Sequence, residues 1–205
     1  MIKINNSELW CNLVGEFNVY NLLAVYATAK TLGMPEDNLL KGISKLKPVK
    51  GRLQFLSNNE KIAIVDYAHT PDALENVISS IKKINSDKNS LITVVGCGGD
   101  RDKSKRAIMG NIASSLSTKV VFTSDNPRSE NPTQIIDDIM DGVSSENLEK
   151  VTRIIDRREA IEMALSIAKK NDIVLVAGKG HESYQEINGV KNNFDDFEVI
   201  KNIIS

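Results

Sequence analysis

Lys119-Val120-Val121-Phe122-Thr123-Ser124-Asp125-Asn126-Pro127-Arg128 decides how the chain is read. Its apolar half, Lys119 to Thr123, predicts a buried strand of a parallel sheet. In an open α/β sheet, ligands dock beyond the carboxyl ends of the strands, so the acid, amide and guanidinium that follow are placed for recognition. Asn126 precedes a proline and is steered out of the helical region, which holds the loop extended and lets Arg128 project. A guanidinium presents a planar fork that matches a carboxylate. A solvated, idle Arg128 near the helix that Pro132 opens fits the same spacing, and the residues alone leave both readings open.

Outward from this stretch, apolar runs alternate with helical periodicity from Lys61 onward, which predicts a Rossmann-like, layered α/β domain with a mostly parallel sheet. The expected strands are Ile62 to Asp66, Leu91 to Val95, Lys119 to Thr123, Val151 to Ile155 and Asp172 to Ala177. In the first expected helix Thr70 can cap and Pro71 suits the first position, while Leu74, Val77, Ile78, Ile81 and Ile84 line one face. Further helices are expected over Lys103 to Leu116, Pro132 to Gly142 and Arg158 to Lys169. Tyr184 to Ile187 and Val190 to Phe194 flank Asn188-Gly189, a favoured two-residue hairpin turn. A helix from Asp195 to Ile204 follows.

Residues 1–50 behave differently. They offer a strand-like start, an apolar helix from about Asn18 to Leu32, a stop at Gly33 and a second helix after Pro35. Val19, Leu22, Leu23, Val25, Tyr26 and Ala29 cover more than one face of the first helix, more than so small a segment can bury. The expectation is the tail of a preceding domain, with Lys47 to Gly51 as linker and a second domain over residues 51–205.

With 205 residues, 41% of them hydrophobic and 26% charged, and a net charge of −1, the chain suits one to one and a half domains. The near-neutral balance gives no electrostatic case for nucleic acid or an anionic membrane. Cys11 and Cys97 lie far apart in no metal-ligand spacing, which points to free thiols in a reducing compartment. No apolar run approaches a membrane span and residues 1–20 do not resemble a signal peptide, so a cytoplasmic location is expected.

Three other strand ends carry polar loops. Gly96-Cys97-Gly98-Gly99-Asp100-Arg101-Asp102 fails as a dinucleotide fingerprint because Arg101 occupies the third glycine position. It also fails as a phosphate-binding P-loop, since Asp102 replaces the glycine before Lys103-Ser104. It remains either a turn presenting Arg101 or a plain chain reversal. In Gly178-Lys179-Gly180-His181-Glu182 the glycines allow close backbone approach and Glu182 can accept from an ammonium. Asp66-Tyr67-Ala68-His69-Thr70-Pro71 puts Asp66 where ribose hydroxyls are often read. A role for Asp66 and His69 in tying the loop to its neighbours stays open. No hydrolytic triad and no metal cluster emerges.

With Gly15-Glu16-Phe17-Asn18-Val19-Tyr20-Asn21 and Gly51-Arg52, these loops occur in the order found in Mur ligases, and over nearly its whole length the chain resembles that family. The likeness is to the members that add meso-diaminopimelate. The family's nucleotide-sugar domain and most of its central ATPase domain, with the P-loop and a carbamylated lysine, have no counterpart in the sequence. The resemblance implies that ATP phosphorylates the D-glutamate carboxylate of a UDP-N-acetylmuramoyl-dipeptide, with Mg2+ assisting, and that an amine of diaminopimelate attacks the acyl phosphate. It implies Asn18 and Asn21 near the adenine, Arg52 near the phosphates, Asp66 near the ribose and His69 in the same loop. It implies Arg101, Asn126, Arg128, Gly178 and Glu182 in the amino-acid pocket, and no catalytic or metal-ligating residue in this chain. The missing domains are the implied partners. A non-catalytic amino-acid-binding module, or a partner completing a split ligase in trans, is the alternative; an oxidoreductase rests on sheet architecture alone.

Overall fold

The protein is described by a computed structural model covering all residues except 1, 5, 6, 10, 12, 14, 59 and 86–88, with the side chains of Ile2, Ser7, Glu16 and Phe17 also left aside. Two compact units divide the chain, Met1–Val49 and Lys50–Ser205.

In the first unit β1 (Ile2–Ile4) pairs antiparallel with β2 (Ser7–Leu9), followed by α1 (Glu16–Thr31) and α2 (Glu36–Ser44). Gly33 adopts φ +83°, a conformation that L side chains rarely take, just past the end of α1. Leu22 and Tyr26 of α1 pack with Leu39 and Ile43 of α2 and with Leu9, while Val19, Leu23 and Val25 stay exposed.

The second unit runs β3 (Gln54–Ser57), β4 (Ile62–Asp66), α3 (Pro71–Ile84), β5 (Leu91–Val95), α4 (Ser104–Leu116), β6 (Lys119–Phe122) and α5 (Pro132–Met140). It continues with β7 (Val151–Arg153), α6 (Arg157–Ile167), β8 (Ile173–Ala177), the hairpin β9 (Tyr184–Ile187) and β10 (Val190–Asn193), and α7 (Asp196–Ile204). The sheet order is β3-β4-β8-β5-β6-β7, parallel except for β3. Alternate strand residues face opposite layers. Ile64, Val95, Phe122 and Leu175 join α3, α4 and α5 on one side, whereas Val65, Val94, Val121 and Val176 join α6 and α7 on the other. Both faces are covered, which is why these strands read as continuous apolar runs.

Helix starts follow from side-chain caps: Thr70 accepts from Ala73 N, Asn131 from Thr133 N, Asp156 from Glu159 N and Asp195 from Phe197 N. The structure departs from the sequence reading in details. Ile84 is 62% exposed at the end of α3 rather than in its buried row. The strand expected to reach Ile155 ends at Arg153, and α6 begins at Arg157. The edge strand β3 was not expected.

Candidate functional site

Loops from the carboxyl ends of the adjacent strands β4, β8, β5 and β6 enclose a cleft of about 570 Å³. The crossover through α3 lies on one face of the sheet and the return through α6 on the other, so the cleft opens at the topological switch point. His69, Arg101, Asn126, Arg128, Gly178 and Glu182 line it together. Two loops meet backbone to backbone: Gly99 N donates to Asn126 O at 2.9 Å, and a Cβ on Gly99 would lie 1.9 Å from Pro127 O.

Arg128 takes φ +51°, unusual for a residue with a Cβ, and its surroundings hold it there. Its N–H donates to Glu186 O at 3.0 Å and its carbonyl accepts from Asn188 N at 2.7 Å, so the β9 hairpin clamps the backbone. The guanidinium turns into the strand-end turns. Nη1 donates to Gly99 O at 2.7 Å and Nε lies 3.6 Å from a Glu186 carboxylate oxygen. Among the described residues Nη2 has no partner. Arg101 lies exposed at the rim, tethered by one bond from Nη1 to Asp100 O at 3.3 Å.

Asn126 is buried and fully oriented. Its Oδ1 accepts from Lys179 Nζ at 3.0 Å and Glu186 N at 2.9 Å, which turns Nδ2 toward Glu182 Oε2 at 2.8 Å. Lys179 Nζ also donates to Glu182 Oε2 at 3.1 Å, and Glu182 Oε1 has no partner among the described residues. Below this network Arg157 and Asp196 form a pair with neither side chain exposed, joined through Nε and Nη2 at 2.8 Å each. Arg157 also donates to Ser124 O and Ala177 O, the carbonyls from which two of the cleft loops depart. Burial alone would pull Arg157 down, yet the Asp196 carboxylate holds it above its ordinary value. Burial pushes the Asp125 carboxyl up, against the pull of Arg157 and Lys179.

A second buried arginine fixes the β5 loop. Arg106 donates to both carboxylate oxygens of Glu130 at 2.9 and 3.0 Å, to Asp138 at 2.8 Å and to Gly98 O at 3.3 Å. Glu130 also accepts from Asp100 N at 2.6 Å. The Arg106 bonds, helped by the Asp100 amide, hold the Glu130 carboxyl down to about 2, from an ordinary value of about 4.5. A depressed carboxyl stabilises the fold above the unfolded-state value, and that contribution is lost as pH falls through the folded one. Glu130→Gln is therefore expected to be less stable than the parent near neutral pH, with the gap closing between about pH 4.5 and 2. Urea unfolding across that range checks this; a gap independent of pH would contradict it.

The remaining predicted residues divide by unit. Asn18 and Asn21 sit one turn apart on α1 of the first unit, with Asn21 Nδ2 donating to Asn18 Oδ1 at 3.3 Å. In the second unit Arg52 is exposed and stacks over Tyr67 at 4.8 Å, and the Tyr67 ring also meets His69 and His181. These groups make a cationic and aromatic edge that fits part of a nucleotide. Asp66 is buried, and its oxygens accept from Leu53 N at 2.8 Å and Ala68 N at 2.9 Å. Burial raises its carboxyl despite those bonds. Among the described residues no group of three or more His, Cys, Asp or Glu side chains could hold a metal ion. Sequence reasoning missed Arg106, Arg157, Asp196 and Glu130 and gave Lys179 no role.

This fold defines a layered α/β domain with a mostly parallel sheet and a polar cleft at the carboxyl ends of its strands. Residues 51–180 match the family described as Mur ligase, glutamate ligase domain, and the chain belongs to the Mur ligase family. Over 206 residues and 100% of its length it is 50% identical to the UDP-N-acetylmuramoyl-L-alanyl-D-glutamate–2,6-diaminopimelate ligase of Bacteroides thetaiotaomicron, covering 43% of that protein. It is 46% identical over 197 residues to the ligase of the same name from Aquifex aeolicus, with 96% of this chain and 40% of that one covered. A solved structure of a ligase with that name superposes with a TM-score of 0.74 at 43% identity, over 96% of this chain and 40% of that one. UDP-N-acetylmuramate-alanine ligase of Thermotoga maritima shares the fold, with a TM-score of 0.67 at 19% identity over 97% of this chain and 39% of that one. The chain thus spans about two-fifths of the length of these relatives. No described helix is long and apolar enough to cross a membrane.

Proposed function

We propose that the chain is the carboxy-terminal part of a cytoplasmic, ATP-dependent ligase that adds meso-diaminopimelate to UDP-N-acetylmuramoyl-L-alanyl-D-glutamate in peptidoglycan synthesis. The observation that carries this reading is one cleft offering a free guanidinium nitrogen on Arg128 and a free carboxylate oxygen on Glu182. Those two groups complement the two charges of an amino-acid head. The far carboxylate of diaminopimelate meets Arg128 and the second N–H of Asn126 Nδ2, and its ammonium meets Glu182 Oε1 and the Gly178 carbonyl. Arg101 at the rim adds a second cation for the carboxylate. Holding that head leaves the other amine of the substrate directed away from the cleft, where it can attack.

ATP, when bound, supplies the phosphoryl group that activates the D-glutamate side-chain carboxylate as an acyl phosphate. Arg52, His69, Asn18 and Asn21 are the nucleotide-facing residues of this chain in the proposal. Asp66 is proposed beside the ribose, and its carboxylate also fixes that edge through the backbone, holding Leu53 beside Arg52 and the turn that carries His69. Residues 1–50 are assigned to the tail of the central ATP-binding domain with its linker, and 51–205 to the carboxy-terminal domain. The exposed Val19, Leu23 and Val25 on α1 support packing of the first unit within a larger body, the remaining domains being the partners.

Because phosphoryl transfer depends on positioned phosphates and the sequence holds no P-loop, residues 1–205 are expected to show no ligation alone while still binding diaminopimelate weakly. Titrating the 15N-labelled chain with meso-diaminopimelate should move the signals of Asn126, Arg128 and Glu182. Unmoved signals at millimolar ligand, or ATP-dependent amide formation by the chain alone, would overturn the respective claim.

A further inference from the structure

We propose that Lys179 is a positioning residue of the amino-acid pocket, holding Asn126 and Glu182 in the orientations that read a zwitterionic head. The inference rests on the proposed function for its ligand and on geometry for the rest. Lys179 is a wholly buried ammonium, and a lysine is almost never buried without partners. Its Nζ bonds to Asn126 Oδ1 and Glu182 Oε2 and lies 5.5 Å from the Tyr184 ring.

An asparagine amide can present either end to a ligand, and neighbours decide which. Here two donors, Lys179 Nζ and Glu186 N, converge on Oδ1, so Nδ2 faces Glu182 and the cleft. Without Lys179, Oδ1 keeps only the Glu186 N–H and Nδ2 keeps a Glu182 carboxylate that has itself lost its anchoring ammonium, so amide and carboxylate lose the group that fixes them to each other. On Glu182 the ammonium and the Asn126 amide both bind Oε2, which leaves Oε1 for the incoming cation.

The test compares binding of meso-diaminopimelate with that of pimelate, which keeps both carboxylates and has no ammonium, to the parent chain and to Lys179→Met. The parent should prefer diaminopimelate, and the variant should narrow that preference about tenfold by losing one charge-assisted bond's worth of alignment. A purely structural lysine would weaken both ligands alike, so an unchanged ratio in a folded variant would overturn the proposal. If the variant does not fold, the parent alone decides. By NMR the Lys179 ammonium protons should be observable and slow to exchange with water in the parent, as a buried Nζ bonded to Asn126 Oδ1 and Glu182 Oε2 requires; an ammonium lost to rapid solvent exchange would refute the positioning. If the parent binds neither compound, the proposed function is lost while this ammonium measurement still judges Lys179.

Discussion

Asp196→Ala is expected to destabilise the second unit by about 3–5 kcal/mol, the usual consequence of removing one partner from a buried ion pair. Neither side chain of the Arg157–Asp196 pair is exposed, and Asp196 takes two of the four hydrogen bonds that Arg157 donates. Alanine would leave the guanidinium buried beside its remaining carbonyl acceptors, with only the charges of Asp125 and Glu182, neither of them bonded to it, to compensate. Because those acceptors are Ser124 O and Ala177 O, the loss also loosens the two loops that carry Asn126, Arg128 and Gly178. Chemical denaturation should therefore show a lower midpoint together with weaker diaminopimelate binding in the still-folded fraction. A midpoint within about 0.5 kcal/mol of the parent, the ordinary range for surface substitutions, would show that the pair is not the anchor described here.

The second large effect concerns Arg128→Lys. In the parent, one guanidinium serves several directions: Nη1 holds Gly99 O, Nε faces Glu186, and Nη2 has no partner among the described residues and is the nitrogen proposed to meet the ligand. An ammonium is a single point of charge on a flexible stem, and it cannot keep the Gly99 contact and grip a carboxylate with the same geometry. Loss of one charge-assisted hydrogen bond is worth about 1.5–3 kcal/mol, which converts to roughly 10–150-fold in kcat/KM for diaminopimelate. The assay needs a complete ligase. Residues 1–205 can be grafted in place of the matching 206 residues of the Bacteroides thetaiotaomicron relative. Parent-like kinetics in the Arg128→Lys graft would remove Arg128 from the role assigned to it.

Much of this architecture was legible because strands covered on both faces leave a plain record. Ile62–Asp66 and Leu91–Val95 matched their expected bounds, and Asn188-Gly189 marked the hairpin turn. The edge strand Gln54–Ser57 left no such record, since it alternates half-buried and exposed residues over only four positions. Arg106 and Arg157 were invisible for another reason. Each sits on an amphipathic helix where a charge reads as the solvent face, and the partners that make burial tolerable lie 24 and 39 residues away. The hairpin could be placed from its turn, but its clamp on Arg128 depends on tertiary contacts that no spacing encodes. That the strand-end loops would converge on one cleft was readable because consecutive parallel strands send their loops to the same edge of the sheet.

Ligation by the grafted enzyme with meso-diaminopimelate and with lysine addresses Arg128 most directly. Lysine has an amine to offer but no far carboxylate, so it would leave the free nitrogen of Arg128 without its partner. A site built to pair a polar group rejects an analogue lacking it by roughly 10⁴ or more. Incorporation of diaminopimelate with lysine disfavoured on that scale is the expected result; equal efficiency for the two amino acids would contradict it.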